Sequence, residues 1–325
     1  MYSDFSLSWP RAAALAILTV FTISGAAGAS PMDDADTVQV HIQAGDVTLG
    51  ATLYRPAGVS GDLPVIVTAH GSAPSTRDGV GYYTNLGLRM GYAVLSFDKR
   101  GTGESTGEYE AFSIEKSDRV FRDLAADVAW SVRWVAQQDG IDAGRIGLLG
   151  GSQAGWIMPL ATQLLAGDGE PEIAFIVIGE GVSISAGEEG RHEEILRELV
   201  DEHCMSSPPE NSCALQTTPD RQMIETADLR IVNYDGALGY DPRDTLLAIS
   251  TPTLWVFGLS DYVIPVTPSI DRLGALIRDD GKTNNQLIIL PFGDHNFTNV
   301  VTGARYDLVE LTEPWLDSIG MLPEQ

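Results

Sequence analysis

An α/β fold with a mainly parallel sheet flanked by helices is the architecture this chain of 325 residues predicts, and two features carry that reading. Compact apolar runs rich in β-branched residues recur at residues 65–69, 93–97, 146–149, 173–178, 253–257 and 286–290, each suited to a strand buried on both faces. Between them stand helical patterns, clearest over residues 119–138, where Val120, Leu124, Val128, Val132 and Val135 form one apolar stripe. Shorter helical candidates lie at residues 155–165, 267–277 and 306–319. Such alternation implies right-handed crossovers, and sheets of this kind gather binding chemistry outside the carboxyl ends of their strands.

Taken in order, residues 1–29 read as a signal peptide. Arg11 precedes an apolar run over residues 12–23, too short for the ~20 residues a membrane span needs, and Ala27-Gly28-Ala29 offers a cleavage site before Ser30. An exported protein, periplasmic or secreted, with no membrane span after signal removal, is the expectation. Residues 32–36 read as a loose acidic stretch, followed by an outer hairpin of strands at residues 38–42 and 47–54 that turns near Gly45-Asp46. The first part of the core then covers residues 30–182 and the second part residues 247–325. Residues 183–246 lack buried-strand runs, carry a helical acidic segment at 188–202, and hold Cys204, Cys213 and Pro208-Pro209. They read as a cap inserted after the sixth strand.

Composition narrows the partners. Lys and Arg total 20 against 45 Asp and Glu, a net charge of −25 whose field repels nucleic acid and anionic headgroups. Cys204 and Cys213 form an even pair that an oxidising compartment would allow to join, and the sequence leaves open whether they do. No metal is expected: His192-Glu193-Glu194 opens like a zinc-binding helix, but Leu196 stands where the second His belongs. Gly101-x-Gly103 finds its next glycine at Gly107, one residue late for a dinucleotide loop, and Leu276 occupies the leading position of a phosphate loop that would end at Gly281-Lys282-Thr283. No cofactor is expected.

The chemistry concentrates in three places. Gly150-Gly151-Ser152-Gln153-Ala154-Gly155 sets a serine at a strand-to-helix turn with only small residues two positions to either side. A nucleophile elbow needs that, because its serine is strained and the strand and helix pass close together. A serine hydroxyl needs an imidazole to accept its proton and a carboxylate to orient that imidazole. Of five histidines, His41 lies in an outer strand, His70 abuts a glycine turn, and His192 and His203 fall in the insertion, leaving His295 after the last strand. Asp261, in the turn after residues 253–257, is the candidate acid, with Glu180 after the preceding strand as the alternative. The order is Ser, Asp, His. Oxyanion donors are expected from the backbone N–H of Gln153 and that of Ser72 in Ala69-His70-Gly71-Ser72, with His70 only bracing the turn.

On these residues the chain resembles a serine hydrolase of the α/β-hydrolase fold, over nearly all of the sequence after the leader. His70-Gly71-Ser72 resembles that family's oxyanion turn. The run from Phe97 to Ser105 resembles its D-x-R-G-x-G-x-S loop, and the Ser152 turn with Trp156 the elbow of its exported esterase-like and prolyl-oligopeptidase-like branches. The resemblance implies Ser152, Asp261 and His295 as the triad. The expected activity is cofactor-free cleavage of small carboxylic esters through an acyl-enzyme, with the cap selecting substrate size and Trp156 read either as cleft lining or as core. Two alternatives stand beside it. One is an aminopeptidase or oligopeptidase-like amide hydrolase, disfavoured because no propeller-sized segment precedes the core. The other is a non-catalytic binding protein that kept the fold.

Overall fold

The computed structural model describes residues 30–205 and 218–323; the expected leader, Pro208, Pro209 and Cys213 lie outside the described residues. An antiparallel hairpin, β1 (Asp36–Ala44) and β2 (Val47–Arg55), turns at Gly45 and forms one edge of the sheet. It is followed by β3 (Leu63–Ala69), β4 (Ala93–Phe97), β5 (Ile141–Ser152), β6 (Ile173–Gly181), β7 (Thr253–Gly258) and β8 (Asn285–Leu290). The sheet order is β1-β2-β4-β3-β5-β6-β7-β8, parallel from β4 to β8. The order reverses between β3 and β5, so the crevice where such sheets bind ligands opens at the ends of those two strands.

Helices cover both faces. α1 (Pro31–Asp34) is a single turn, α2 (Gly81–Arg89) follows β3, α3 (Ser117–Val135) precedes β5, and α4 (Ala154–Leu164) leaves it. α5 (Ala186–Met205), α6 (Arg221–Ile231) and α7 (Arg243–Ala248) lie between β6 and β7, and α8 (Val266–Asp279) and α9 (Leu308–Ser318) complete the set. The apolar stripe of α3 packs with α4 and α8 on one face, where Val120, Val128, Val132, Leu160 and Leu273 are buried. On the other face α2 and α9 bury Leu86, Leu88, Leu308 and Leu316 against Ile66 and Val94. Among the described residues no helix is long and apolar enough to cross a membrane.

Three expectations are corrected and one helix is added. β8 is not buried on both faces: it is the edge strand, its central residues are only partly covered, and Ile289 is 43% exposed. Residues 32–36 are not loose throughout, because Ser30 and Asp33 form a capping box that winds α1. β5 starts at Ile141, ahead of the apolar run, where a register shift against β3 accommodates a polar stretch. α2 was not anticipated; two glycines and two tyrosines obscure its periodicity, and its placement depends on packing against Ile66 and Val94.

Phe121 of α3 stacks on Trp156 of α4 with ring centroids 4.7 Å apart and meets Phe112 and Tyr240 as well. Removing that ring opens a void beneath the elbow helix. Phe121→Ala is expected to lower stability by about 3–5 kcal/mol, read from urea unfolding curves.

Candidate active site

Ser152 ends β5 and precedes α4 with φ 58°, in the left-handed region that a residue with a side chain rarely adopts. The surrounding packing enforces the turn. A Cβ on Gly150 would stand 2.5 Å from the Ala69 carbonyl and 2.9 Å from Ala154 Cβ, so Ala154 fits because Gly150 has no side chain. A Cβ on Gly151 would meet the Gly179 carbonyl at 2.4 Å and the Tyr83 hydroxyl at 2.1 Å. Ser152 keeps partial exposure while Gly151, Gln153 and Ala154 are buried, so its hydroxyl is the group the turn presents.

The candidate base and acid come together. His295 Nδ1 lies 2.7 Å from Asp261 Oδ2, with the aspartate side chain fully buried and the imidazole 23% exposed. The other carboxylate oxygen accepts from the Val263 N–H at 2.7 Å, which fixes the Asp261 rotamer. The His295 loop is shaped by Asp294, whose Oδ1 accepts from the N–H groups of Asn296 and Thr298 at 2.9 and 2.8 Å. Phe297, at φ 58° and buried, anchors the loop against Gly179, where a Cβ would meet its ring at 2.6 Å.

Glu180, the alternative acid, also lies here, buried at the end of β6 with φ 45°. Neither of its oxygens has a well-formed hydrogen bond among the described residues. Burial, and then the negative charge of Asp261, push its carboxyl up to about 10, which keeps it neutral at pH 7. A neutral carboxyl does not supply the negative charge an imidazolium needs, so the geometry favours Asp261.

The turn after β3 approaches the elbow closely: a Cβ on Gly71 would be 3.8 Å from Ser152 Oγ. Ser72 is exposed and Gln153 buried. His70 stacks edge-on against Phe97, its Nε2 is buried without a partner, and burial and then the Lys99 charge push it down to about 3. It is therefore neutral and structural. Trp156 belongs to the core, 1% exposed, with its indole N–H donating to the Ile184 carbonyl at 2.8 Å.

The loop after β4 is a frame for this turn. Asp98 accepts a two-pronged bond from Arg77 at 3.0 Å on each oxygen and another from the Glu104 N–H at 2.8 Å, while Arg77 also pairs with Glu104. Ser105 donates to the Asp98 carbonyl at 2.6 Å, and Arg100 pairs with buried Asp127 at 2.8 Å. A Cβ on Gly103, at φ 53°, would collide with Asp98 Oδ2 at 2.3 Å. Sequence reasoning missed Arg77, Tyr83 and Lys99 here. The only signal was a lysine two residues after a buried strand, at the variable position of the D-x-R-G loop. Among the described residues no group of three or more His, Cys, Asp or Glu side chains is placed to hold a metal ion. Cys204 is disulfide-bonded.

Because Glu180 takes up its proton more tightly when folded than the ordinary value of about 4.3 implies, its contribution to stability is intact below that value and is lost as pH rises toward about 10. Glu180→Gln is therefore expected to raise stability at pH 7 by roughly 1–3 kcal/mol. The gain should vanish as pH falls toward 4, and urea unfolding at a series of pH values measures it.

Comparison with known proteins agrees with this architecture. A family model described as X-Pro dipeptidyl-peptidase (S15 family) matches residues 45–194, which include Ser152 but neither Asp261 nor His295. An acylamino-acid-releasing enzyme of Rattus norvegicus is 24% identical over 271 residues, covering 81% of this chain and 33% of that enzyme. The chain thus spans about a third of that relative's length. Among solved structures, the Pyrococcus furiosus esterase Pf2001 aligns with a TM-score of 0.57 at 19% identity, over 90% of this chain and 94% of that one. The acylaminoacyl peptidase of Pyrococcus horikoshii aligns with a TM-score of 0.56 at 15% identity, over 90% of this chain and 42% of that one. An acetyl xylan esterase from Paenibacillus sp. R4 gives 0.54 at 18% identity, over 90% and 86% of the two chains. With the sheet order, the strained serine turn and these matches together, the chain has the α/β-hydrolase fold.

Proposed function

We propose that the chain hydrolyses small carboxylic esters through an acyl-enzyme on Ser152. One observation carries the reading: the 2.7 Å contact of His295 Nδ1 with Asp261 Oδ2, in loops that leave the same carboxyl edge of the sheet as Ser152. With Nδ1–H donating to the carboxylate, the lone pair of Nε2 is left to accept the Ser152 proton. The hydroxyl oxygen then bonds to the ester carbon, and the carbonyl electrons move onto oxygen. The Ser72 and Gln153 N–H groups stabilise that charge. Collapse of the intermediate breaks the bond to the alcohol oxygen, which leaves with the proton held by His295. Water repeats the sequence on the acyl-enzyme, its proton passing to His295 and back to Ser152 as the acid departs. The catalytic residues of this scheme are all side chains or backbone of the protein.

The ester reading draws support from the likeness to esterases over nearly their whole length. Amide cleavage is the second reading, favoured by the likeness to acylamino-acid-releasing enzymes, of which the aligned part is 33% and 16% of the whole. We also propose export, supported by the leader-like residues 1–29. Sequencing the N-terminus of protein recovered outside the cytoplasm should then give Ser30 first.

A serine-directed fluorophosphonate is expected to label the protein and not its Ser152→Ala variant. Asp261→Asn should leave the fold intact and lower kcat on a short acyl ester by about 10⁴-fold. Turnover confined to peptide amides would replace the ester reading by the second one, and absence of both labelling and turnover would leave a binding protein.

A further inference from the structure

Lys99 follows β4 and is 3% exposed, yet no carboxylate is among its hydrogen-bond partners. Its ammonium donates to the Gly71 carbonyl at 2.8 Å, the Ala73 carbonyl at 3.2 Å and the Gln153 side-chain oxygen at 3.0 Å. An ammonium has three N–H groups and no acceptor, so its capacity is met in full. The charged neighbour Asp98 is committed to Arg77 and the Glu104 N–H.

These three acceptors are not scattered. The Gly71 carbonyl belongs to the same peptide unit as the Ser72 N–H, and that unit is trans, as no cis bond occurs among the described residues. A trans peptide is planar with C=O and N–H pointing opposite ways. Binding the carbonyl from inside the protein therefore turns the Ser72 N–H outward, and a cation on that oxygen strengthens the N–H as a donor. The Ala73 carbonyl holds the far side of Ser72, at a residue with φ 74° that would otherwise relax. The third bond ties the side chain of Gln153, whose N–H is the other donor.

We propose that Lys99 is the positioning residue of the oxyanion hole, aligning and polarising its two N–H donors from behind. The inference rests on the serine-hydrolase mechanism proposed above and extends it to a group that never touches substrate. Among the described residues lining its pocket, Lys99 is the one cation. His70 at the end of β3 is neutral, Tyr109 offers its ring face at 5.3 Å, Asp98 is already paired, and Leu124, Val128 and Ile157 from α3 and α4 are apolar. Burial pushes the ammonium down to about 8. Above that pH the neutral amine has two N–H groups for three acceptors, and the hole loosens.

The test measures kcat and KM for a short p-nitrophenyl ester from pH 6 to 10, in the wild type, Lys99→Met and Lys99→Arg, with circular dichroism to check folding and fluorophosphonate labelling to check Ser152. Wild-type kcat should fall on the alkaline side near pH 8. Lys99→Met should lower kcat roughly 10- to 100-fold at pH 7, with KM within about twofold, and abolish that fall. Lys99→Arg keeps its charge across the range, so its profile should stay level whatever its height. A Lys99→Met kcat within about twofold of wild type, or an alkaline fall that persists in either variant, overturns the proposal while labelling and turnover keep the serine mechanism intact. If Lys99→Met does not fold, the comparison of wild type with Lys99→Arg decides. A wild type that neither takes the label nor turns over ester removes the mechanism itself, and this proposal with it.

Discussion

The left-handed backbone of Ser152 is the constraint on which the rest of this structure depends. Holding a residue with a side chain at φ 58° is unfavourable by about 1–3 kcal/mol, and it persists only because its neighbours leave no other path. Gly150 admits the Ala69 backbone, Gly151 admits that of Gly179, and Gly155 lies against Val182, where a Cβ would meet the backbone N at 2.7 Å. Three strands and the elbow helix thus meet at contact distances that only hydrogen atoms fit. Strand β6 answers with its own distortion: the β5/β6 register shifts between Gly151 and Ser152, and Glu180 is held at φ 45°.

Charge around this point is arranged in layers. The protein is strongly acidic overall, yet behind the oxyanion turn lies a buried cation, Lys99, and beneath that an Arg77–Asp98 pair that braces the loop. Beside the candidate acid sits a second buried carboxyl, Glu180, that burial keeps protonated. Burial and then the neighbouring Asp261 push the Glu180 carboxyl up, while Asp261 is the one that receives a backbone N–H and the imidazole.

How much of this could be read beforehand follows from whether a feature is local. The buried strands and α3 were legible because β-branched runs and a 3.6-residue stripe are local patterns, and Ser152 was legible because its turn tolerates only small residues at fixed spacing. β8 misled because an apolar run does not say whether another strand will cover it. α2 was hidden because its glycines serve the packing of Gly87 against Val94 and Ile66, a contact made across the fold. Lys99 was passed over for the same reason: its partners are 26 to 54 residues away in sequence, and a lysine after a strand is ordinarily solvated.

The insertion between β6 and β7 follows a different logic from the elbow. Its apolar side chains Ile184, Ile195, Leu196, Ile224 and Ile231 join the buried cluster of α3 and α4, and polar bonds are added to that packing: Arg272 of α8 reaches Asp241 at 3.0 Å and Glu188 at 3.3 Å, Tyr240 N–H donates to Ser117 at 2.8 Å, and buried His192 meets Asp228 at 3.0 Å between α5 and α6. A cavity of about 540 Å³ opens between α6 and α8, with Leu229 and Val232 exposed at its rim. None of the residues lining it belongs to the candidate catalytic set. The elbow admits only small residues at Gly150, Gly151 and Gly155, whereas the side chains lining the cavity beside the insertion make none of those contacts.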